Sequence, residues 1–258
     1  MSEDPAAETG QIPTNLRLLL LLEELARVGK PVSPADLGLA LGLPKPTVHR
    51  LLNTAESEGF VQRDLDGRSF GPGRRLRRLS VNTLSSLNVR TARVAILTAV
   101  AEKIGETCNI ATPDREAMRY LDRVETKWPL RIQLPIGTQV PFHCTASGKM
   151  YLSSLKPSFL DRYLAAAVLN ARTQHSLTEP AALKSELEQV RHNGFSTDNE
   201  EFMEGMVAIA VPILDDQERV LATLSVHSPV QRQDLSALQT HLPLLQKAAL
   251  DLSALLLD

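Results

Sequence analysis

Apolar residues recur every three to four positions through much of this 258-residue chain, in stretches separated by short breaks that hold Gly, Pro, Asp and Asn. That spacing predicts amphipathic helices. The first runs from Ile12 to Gly29, where Leu18, Leu21, Leu22 and Leu25 form a stripe and Gly29 supplies the stop. Leu16, Leu19 and Leu20 widen its apolar surface, and a helix apolar on more than one side is buried on more than one side. A tighter pattern follows from Ser33 to Phe70. Ser33 suits a helix N-cap, with Pro34 in the first turn, Asp36 near the positive helix end and Gly42 as the stop. A second helix begins around Pro44 to Thr47, and its stripe is Val48, Leu51, Leu52 and Ala55. Gly59 ends it as a left-handed cap. Phe60-Val61 and Ser69-Phe70 then read as two strands joined by a turn at Asp66-Gly67.

The second half changes character. A long helical stretch from Gly73 to Ile104 keeps an approximate three-to-four spacing, with a break expected near Asn82 to Ser86. Strand-like runs follow at Cys108 to Thr112, Met118 to Val124 and Ile132 to Leu134, with a turn at Pro113-Asp114-Arg115. Helices are expected at Thr145 to Ser154, Pro157 to Ala167 and Glu179 to Asn193, the last ended by Gly194. Val207 to Ile213 and Val220 to Val226 are apolar strands around a hairpin at Asp215-Asp216. A long C-terminal helix, Arg232 to Leu257, is interrupted at Pro243. The expected fold class is α+β: residues 1–11 a floppy tail, 12–72 a winged helix-turn-helix, 73–88 a linker helix, and 89–258 an antiparallel sheet with helices on its faces.

Composition narrows the function classes. The length suits one large or two ordinary domains. No apolar run spans a bilayer, and the acidic N-terminus MSEDPAAETG is wrong for a signal peptide, so no membrane partner is expected. Cys108 and Cys144 are then expected as free thiols in a reducing cytoplasm. The formal net charge of −2 hides an uneven distribution. Residues 40–80 hold eight Lys/Arg and four acids, a surplus of four positive charges, which leaves −6 for the rest. A local basic patch on an acidic chain is an electrostatic footprint for nucleic acid, although Arg74 to Arg78 fit a solvated face as well.

The candidate chemistry follows. A helix that presents Lys45, Pro46, Thr47, His49 and Arg50 at its leading end fits the major groove of double-stranded DNA, and Arg63 and Arg68 of the hairpin reach the backbone or minor groove. The helix starting near Thr145 points the N–H groups of Ala146, Ser147 and Gly148 toward a small anion, for which a carboxylate is the natural guest. Enzyme and cofactor signals are weak. His143 and Cys144 are neighbours, so an extended backbone turns them to opposite sides and spoils a nucleophile–base pair. The six histidines show no zinc-like spacing, and no phosphate-binding glycine loop is present, so no metal and no cofactor are expected.

The segment ADLGLALGLPKPTVHRLLNTAESEGFVQRD resembles the DNA-binding segment of IclR-type bacterial transcriptional regulators. GTQVPFHCTASGKMYLS and NGFSTDNEEFMEGMVAIAVPI resemble that family's GAF-like effector-binding domain, so the resemblance runs from about Leu16 to near the C-terminus. It implies a ligand-responsive regulator, a palindromic operator, and a homodimer or a tetramer built as a dimer of dimers, with the first helix packed between DNA-binding domains. It implies pocket positions at Ala146, Ser147, Asp198, Ala208, Ser225 and His227, with Ile132, Val140 and Met206 as the apolar wall. This chain departs from the family pattern at His227, Ala208 and Met150, so no effector is carried over. His227 adds a titratable donor there, or else serves as a hydrogen-bonded structural histidine. Two other classes stay open on the residues alone: a GAF-like sensor that acts through protein contacts, and a thiol-dependent enzyme using Cys144.

Overall fold

The computed structural model describes residues 12–64, 66–84 and 87–257, which fall into two compact units, 1–84 and 85–258. The expected tail at 1–11 lies outside the described residues, as do Ser85 and Ser86 within the expected helix break.

In the first unit, helix α1 (Arg17–Val28) ends on Gly29, whose φ of 62° is a left-handed conformation that favours glycine. It starts later than the apolar pattern suggests, because Pro13 to Leu16 form a separate turn closed by the Leu16 N–H on the Pro13 carbonyl. Helix α2 (Pro34–Leu41) is capped as expected: the Ser33 hydroxyl accepts from the Asp36 N–H, and Gly42 turns left-handed. Helix α3 (Lys45–Ser57) buries Val48, Leu51, Leu52 and Ala55. Its end is a Schellman motif, with the Phe60 N–H on the Ala55 carbonyl and the Gly59 N–H on that of Glu56. That motif keeps Phe60 out of the strand, so the hairpin is β1 (Val61–Arg63) against β2 (Phe70–Pro72). Ser69 also stays outside, held with Arg68 by the Asp66 carboxylate. Leu21, Leu25, Leu37, Val48, Leu52 and Phe70 make one shared core. Helix α4 (Arg74–Leu84) leaves the hairpin through Gly73, where a Cβ would lie 2.4 Å from the Gly59 carbonyl oxygen.

The second unit is organised by a six-stranded antiparallel sheet in the order β5-β4-β3-β8-β7-β6. Its strands are β3 (Thr107–Asp114), β4 (Ala117–Val124), β5 (Gln139–Pro141), β6 (Ser196–Asn199), β7 (Met206–Leu214) and β8 (Val220–Pro229). Helix α6 (Ala146–Ser154) packs on one face, where Ala146 and Met150 meet Ala208 and Ala210. Helices α7 (Pro157–Ala166) and α8 (Pro180–Asn193) lie outside α6, with Leu160, Leu183 and Leu187 in an apolar cluster with Tyr120, Phe142 and Leu152. Helices α5 (Leu87–Ile104) and α10 (Leu242–Leu257) run against β3, β4, β7 and β8 and cover the other face. On α5 the buried stripe includes Arg93, which pairs with Asp122 at 2.6 Å with both side chains fully buried. A lone charge at that depth is costly, and the pair is what makes the position tolerable.

Three expectations for this unit are corrected, and one strand escaped the sequence pattern. Ile132 to Leu134 is no strand: the Ile132 carbonyl accepts from the Arg123 guanidinium, and the place beside β4 belongs to Gln139–Pro141. The edge strand β6 is polar and gives no apolar signal. Pro113 and Asp114 belong to β3, so the turn shifts to Arg115-Glu116, where Arg115 adopts a φ of 60°. The C-terminal helix is two helices, α9 (Leu235–Gln239) and α10, with Pro243 in the first turn of the latter, where its missing N–H is harmless. No helix of the described residues is long and apolar enough to cross a membrane.

Candidate functional site

Two sites emerge, one in each unit. On α3 the buried stripe faces inward, and Lys45, Pro46, His49 and Arg50 are exposed while Thr47 is half-buried. Lys45, His49 and Arg50 have no side-chain partner among the described residues. Their charge and hydrogen-bonding groups are therefore open to an external ligand. Asn53 is exposed four residues after His49, on the same side of the helix, and its amide makes it a base-edge candidate that charge and stripe reasoning passed over. The arginines nearby behave differently. Arg63 bonds Glu56 at 2.9 Å and its guanidinium lies 4.6 Å from the Phe70 ring centroid, so much of its role is to brace the hairpin. Arg75 pairs with Glu58, and Arg77 bonds Gln62 and the Pro72 carbonyl. Arg68 projects from the turn beside the Asp66 carboxylate, and its guanidinium makes no hydrogen bond among the described residues.

The second site lies between α6 and the sheet. Strand register puts Asp198 opposite Ala208, and Ala208 opposite His227. Ser225 lies opposite both Ala210 and Asn109. Alternation then places Asp198, Met206, Ala208, Ser225 and His227 on the face that α6 covers. Thr145 caps α6 by accepting from the Gly148 N–H at 3.1 Å. This corrects the expectation of three free N–H groups: Gly148 is taken, and those of Ala146 and Ser147 remain as first-turn donors without a helical carbonyl. The first turn is locked in place from both sides. A Cβ on Gly148 would sit 2.3 Å from the Phe142 carbonyl oxygen, and the Ser196 hydroxyl donates to the Ala146 carbonyl at 2.6 Å.

The site is lined by buried polar groups. The Ser147 hydroxyl is buried and has no partner among the described residues. The Asp198 carboxylate accepts from the Glu201 and Phe202 N–H groups, yet burial first and Glu201 second push its pKa up to about 7. Glu201 in turn is held by Lys149, which also reaches Glu186 at 2.9 Å. His227 meets the Ser225 hydroxyl at 3.2 Å and the Tyr120 ring edge-on at 6.4 Å. Burial, with the Arg123 charge behind it, lowers the His227 pKa to about 3. His227 is therefore a neutral imidazole at physiological pH, which favours the hydrogen-bonded structural histidine over the titratable donor of the two readings the sequence left open.

The residues of the expected apolar wall come from three separate parts of the chain. Ile132 is buried in a loop tied to Arg123, Val140 packs with Met118, Tyr120 and Phe142, and Met206 is half-buried at the start of β7. Sequence reasoning passed over Asn109 and Arg123, which lie in register with Ser225 on the covered face. The available signal was an asparagine, a poor strand former, between Cys108 and Ile110 in an apolar run. A separate cleft of about 350 Å³ between Phe142, Tyr163, Val168 and Arg172 contains none of the expected effector positions.

Thiol chemistry has no support in this geometry. Both cysteines are buried, and burial pushes the Cys144 thiol up to about 12 and the Cys108 thiol higher still. The nearest histidine in sequence, His143, spends its ring nitrogen on the Asn170 carbonyl at 2.9 Å.

Known proteins agree with this two-part layout. A family model described as the C-terminal domain of the bacterial transcriptional regulator IclR matches residues 81–254. A second, the IclR helix-turn-helix domain, matches residues 16–65. SauR of Cupriavidus necator, described as a probable transcriptional regulator, is 40% identical over 234 residues, spanning 91% of this chain and 93% of its own. The transcriptional repressor IclR of Escherichia coli is 33% identical over 230 residues, spanning 88% of this chain and 84% of its own. The crystal structure of Thermotoga maritima IclR matches with a TM-score of 0.63 at 25% identity, over 95% of this chain and 99% of that one.

Proposed function

The chain belongs to the IclR family of bacterial transcriptional regulators, and on that footing we propose that it binds a near-palindromic operator and senses a small carboxylate. Its relatives are regulators rather than enzymes. The division of labour is residues 12–72 for DNA, 73–88 as linker and 89–258 for the effector. The carrying observation is the convergence of Ala146, Ser147, Asp198, Ala208, Ser225 and His227 between α6 and one sheet face, with the buried Ser147 hydroxyl unpartnered.

Lys45, Pro46, Thr47, His49 and Arg50 enter the major groove, and Arg68, with Arg63 behind it, meets the phosphate backbone. The effector carboxylate docks on the Ala146 and Ser147 N–H groups, which carry the positive end of α6. Ile132, Val140 and Met206 supply apolar contacts. Two copies of the chain read the two half-sites in a homodimer, or in a tetramer that pairs two such dimers, within the cytoplasm. The effector acts by its differential affinity for two placements of the DNA-binding units.

The test is Ser147→Pro, which deletes one N–H at a position where proline fits a helix. Operator binding in a gel shift is expected to persist while the response to acids is lost. A full response would place the effector elsewhere.

A further inference from the structure

The cleft of about 350 Å³ noted above opens beside the segment that leads into α6. Its walls include an aromatic corner, where the Phe142 and Tyr163 rings meet edge to face with centroids 6.0 Å apart. Ala166 and Ala167 at the end of α7 are small and leave room beside that corner, and Val168 is 78% exposed at the rim. The loop that follows α7 is held at two points. His143 Nε2 donates to the Asn170 carbonyl at 2.9 Å, and the Ser176 hydroxyl accepts from the Arg172 N–H while it donates to the Glu201 carbonyl. Two exposed charged side chains line the same cleft, Arg172 from this loop and Glu116 from the turn between β3 and β4. They do not pair with each other, and neither side chain has a hydrogen-bond or ion-pair partner among the described residues. Each acts on a different wall: the Arg172 charge bears on His143, and the Glu116 charge bears on Tyr163. A cation and an anion thus stand unneutralised around one apolar corner, and a ligand that carries both charges can bridge them.

We propose that this cleft is a second ligand site, which binds an aromatic amino acid as its zwitterion. Arg172 takes the carboxylate, for which a guanidinium offers paired donors. Glu116 takes the ammonium group. The aromatic side chain lies in the corner of Phe142 and Tyr163, where ring–ring contact adds to the apolar area buried. The volume suits a small-molecule site, apolar with a few placed polar groups. A plain acid would meet the like charge of Glu116, and a plain amine that of Arg172, so each singly charged relative loses one attraction and gains one repulsion. The site shares no residue with the effector positions between α6 and the sheet, and it stands whether or not the carboxylate reading does.

The experiment is calorimetric titration of the full chain with L-phenylalanine, 3-phenylpropanoate and phenethylamine, which share one apolar body and differ in charge. L-phenylalanine is expected to bind more tightly than either analogue by about fivefold, the upper end of what one exposed ion pair contributes. Arg172→Gln and Glu116→Gln are each expected to weaken L-phenylalanine by a similar factor. Both positions are exposed, so the variants should fold as the unaltered chain does. Arg172→Gln should close the gap to phenethylamine, and Glu116→Gln the gap to 3-phenylpropanoate. Asp198→Asn, in the other site, should leave L-phenylalanine binding unchanged. No binding of L-phenylalanine at millimolar concentration would overturn the proposal. So would equal binding of the three compounds, or binding that Asp198→Asn alters while both cleft variants leave it intact.

Discussion

Ser196 on the edge strand β6 donates its hydroxyl proton to the carbonyl of Ala146, the first residue of α6, at 2.6 Å. The bond ties the first turn of α6 to the strand that carries Asp198 two residues later.

Removing that tie is expected to loosen the site more than the fold. Ser196→Ala deletes one buried hydrogen bond, about 1 kcal/mol. For a unit of this size the melting temperature should fall by about 2–4 °C. Effector affinity should fall further than this, because the first turn of α6 loses its register on the sheet. Thermal melts alongside ligand titration separate the two, and an unchanged affinity would mean that the turn is held by Gly148 and Phe142 alone.

Asp198 and His227 should oppose each other in the pH dependence of stability. Asp198 has a folded pKa near 7, above the ordinary carboxylate range, so the folded state holds a proton the unfolded chain has released. Its contribution falls as pH rises from about 4 to 7. His227, lowered to about 3, binds its proton only when unfolded, so its contribution rises with pH between about 3 and 6.5. The unaltered chain should show a shallow profile where the windows overlap. Asp198→Asn should unmask a rise in stability toward pH 6.5, and His227→Gln a fall over the same range. Denaturant melts at half-unit pH steps check both signs.

Ionisation of Asp198 should also oppose an anionic effector. Affinity for a carboxylate is expected to decline between pH 6 and pH 8 in the unaltered chain, and to flatten in Asp198→Asn. Calorimetry at several pH values reads this directly.

The α3 and hairpin arginines should separate by mechanism. Arg50→Ala removes an unpaired side chain and is expected to cost operator binding about 1–3 kcal/mol if it reads a base edge. Arg68→Ala should weaken all sequences alike and lower the salt slope by about 0.9, the signature of one phosphate contact. Arg63→Ala should lower the melting temperature as well, since it frees Glu56 and uncovers Phe70.

Leu19, 59% exposed on α1, and Leu16 beside it form an apolar surface that the shared core of this unit does not use. Leu19→Glu is expected to leave the melting temperature unchanged and to weaken self-association in sedimentation. Unaltered self-association would remove α1 from the dimer interface.

The DNA-binding unit was legible because its signals are local. Ser33, Gly42 and Gly59 mark helix ends within a few residues of the structures they close. The effector unit was only partly legible because its decisive contacts are distant in sequence. β6 is the polar run Ser196–Asn199, a strand only because β7 pairs with it. Gln139–Pro141 takes the edge that Ile132 to Leu134 seemed suited for. His227 stayed open between a titratable donor and a structural histidine because its burial is invisible in the sequence. Asn109 is bonded to Arg123, fourteen positions away, in a register that no periodicity encodes.

The most direct test of the central claim is selection of genomic fragments by the purified chain, repeated with small carboxylates and aromatic acids. Enrichment of one palindromic site, sensitive to salt and altered by one acid, is the predicted result. No enrichment at low salt, where phosphate contacts are strongest, would contradict the operator-binding account.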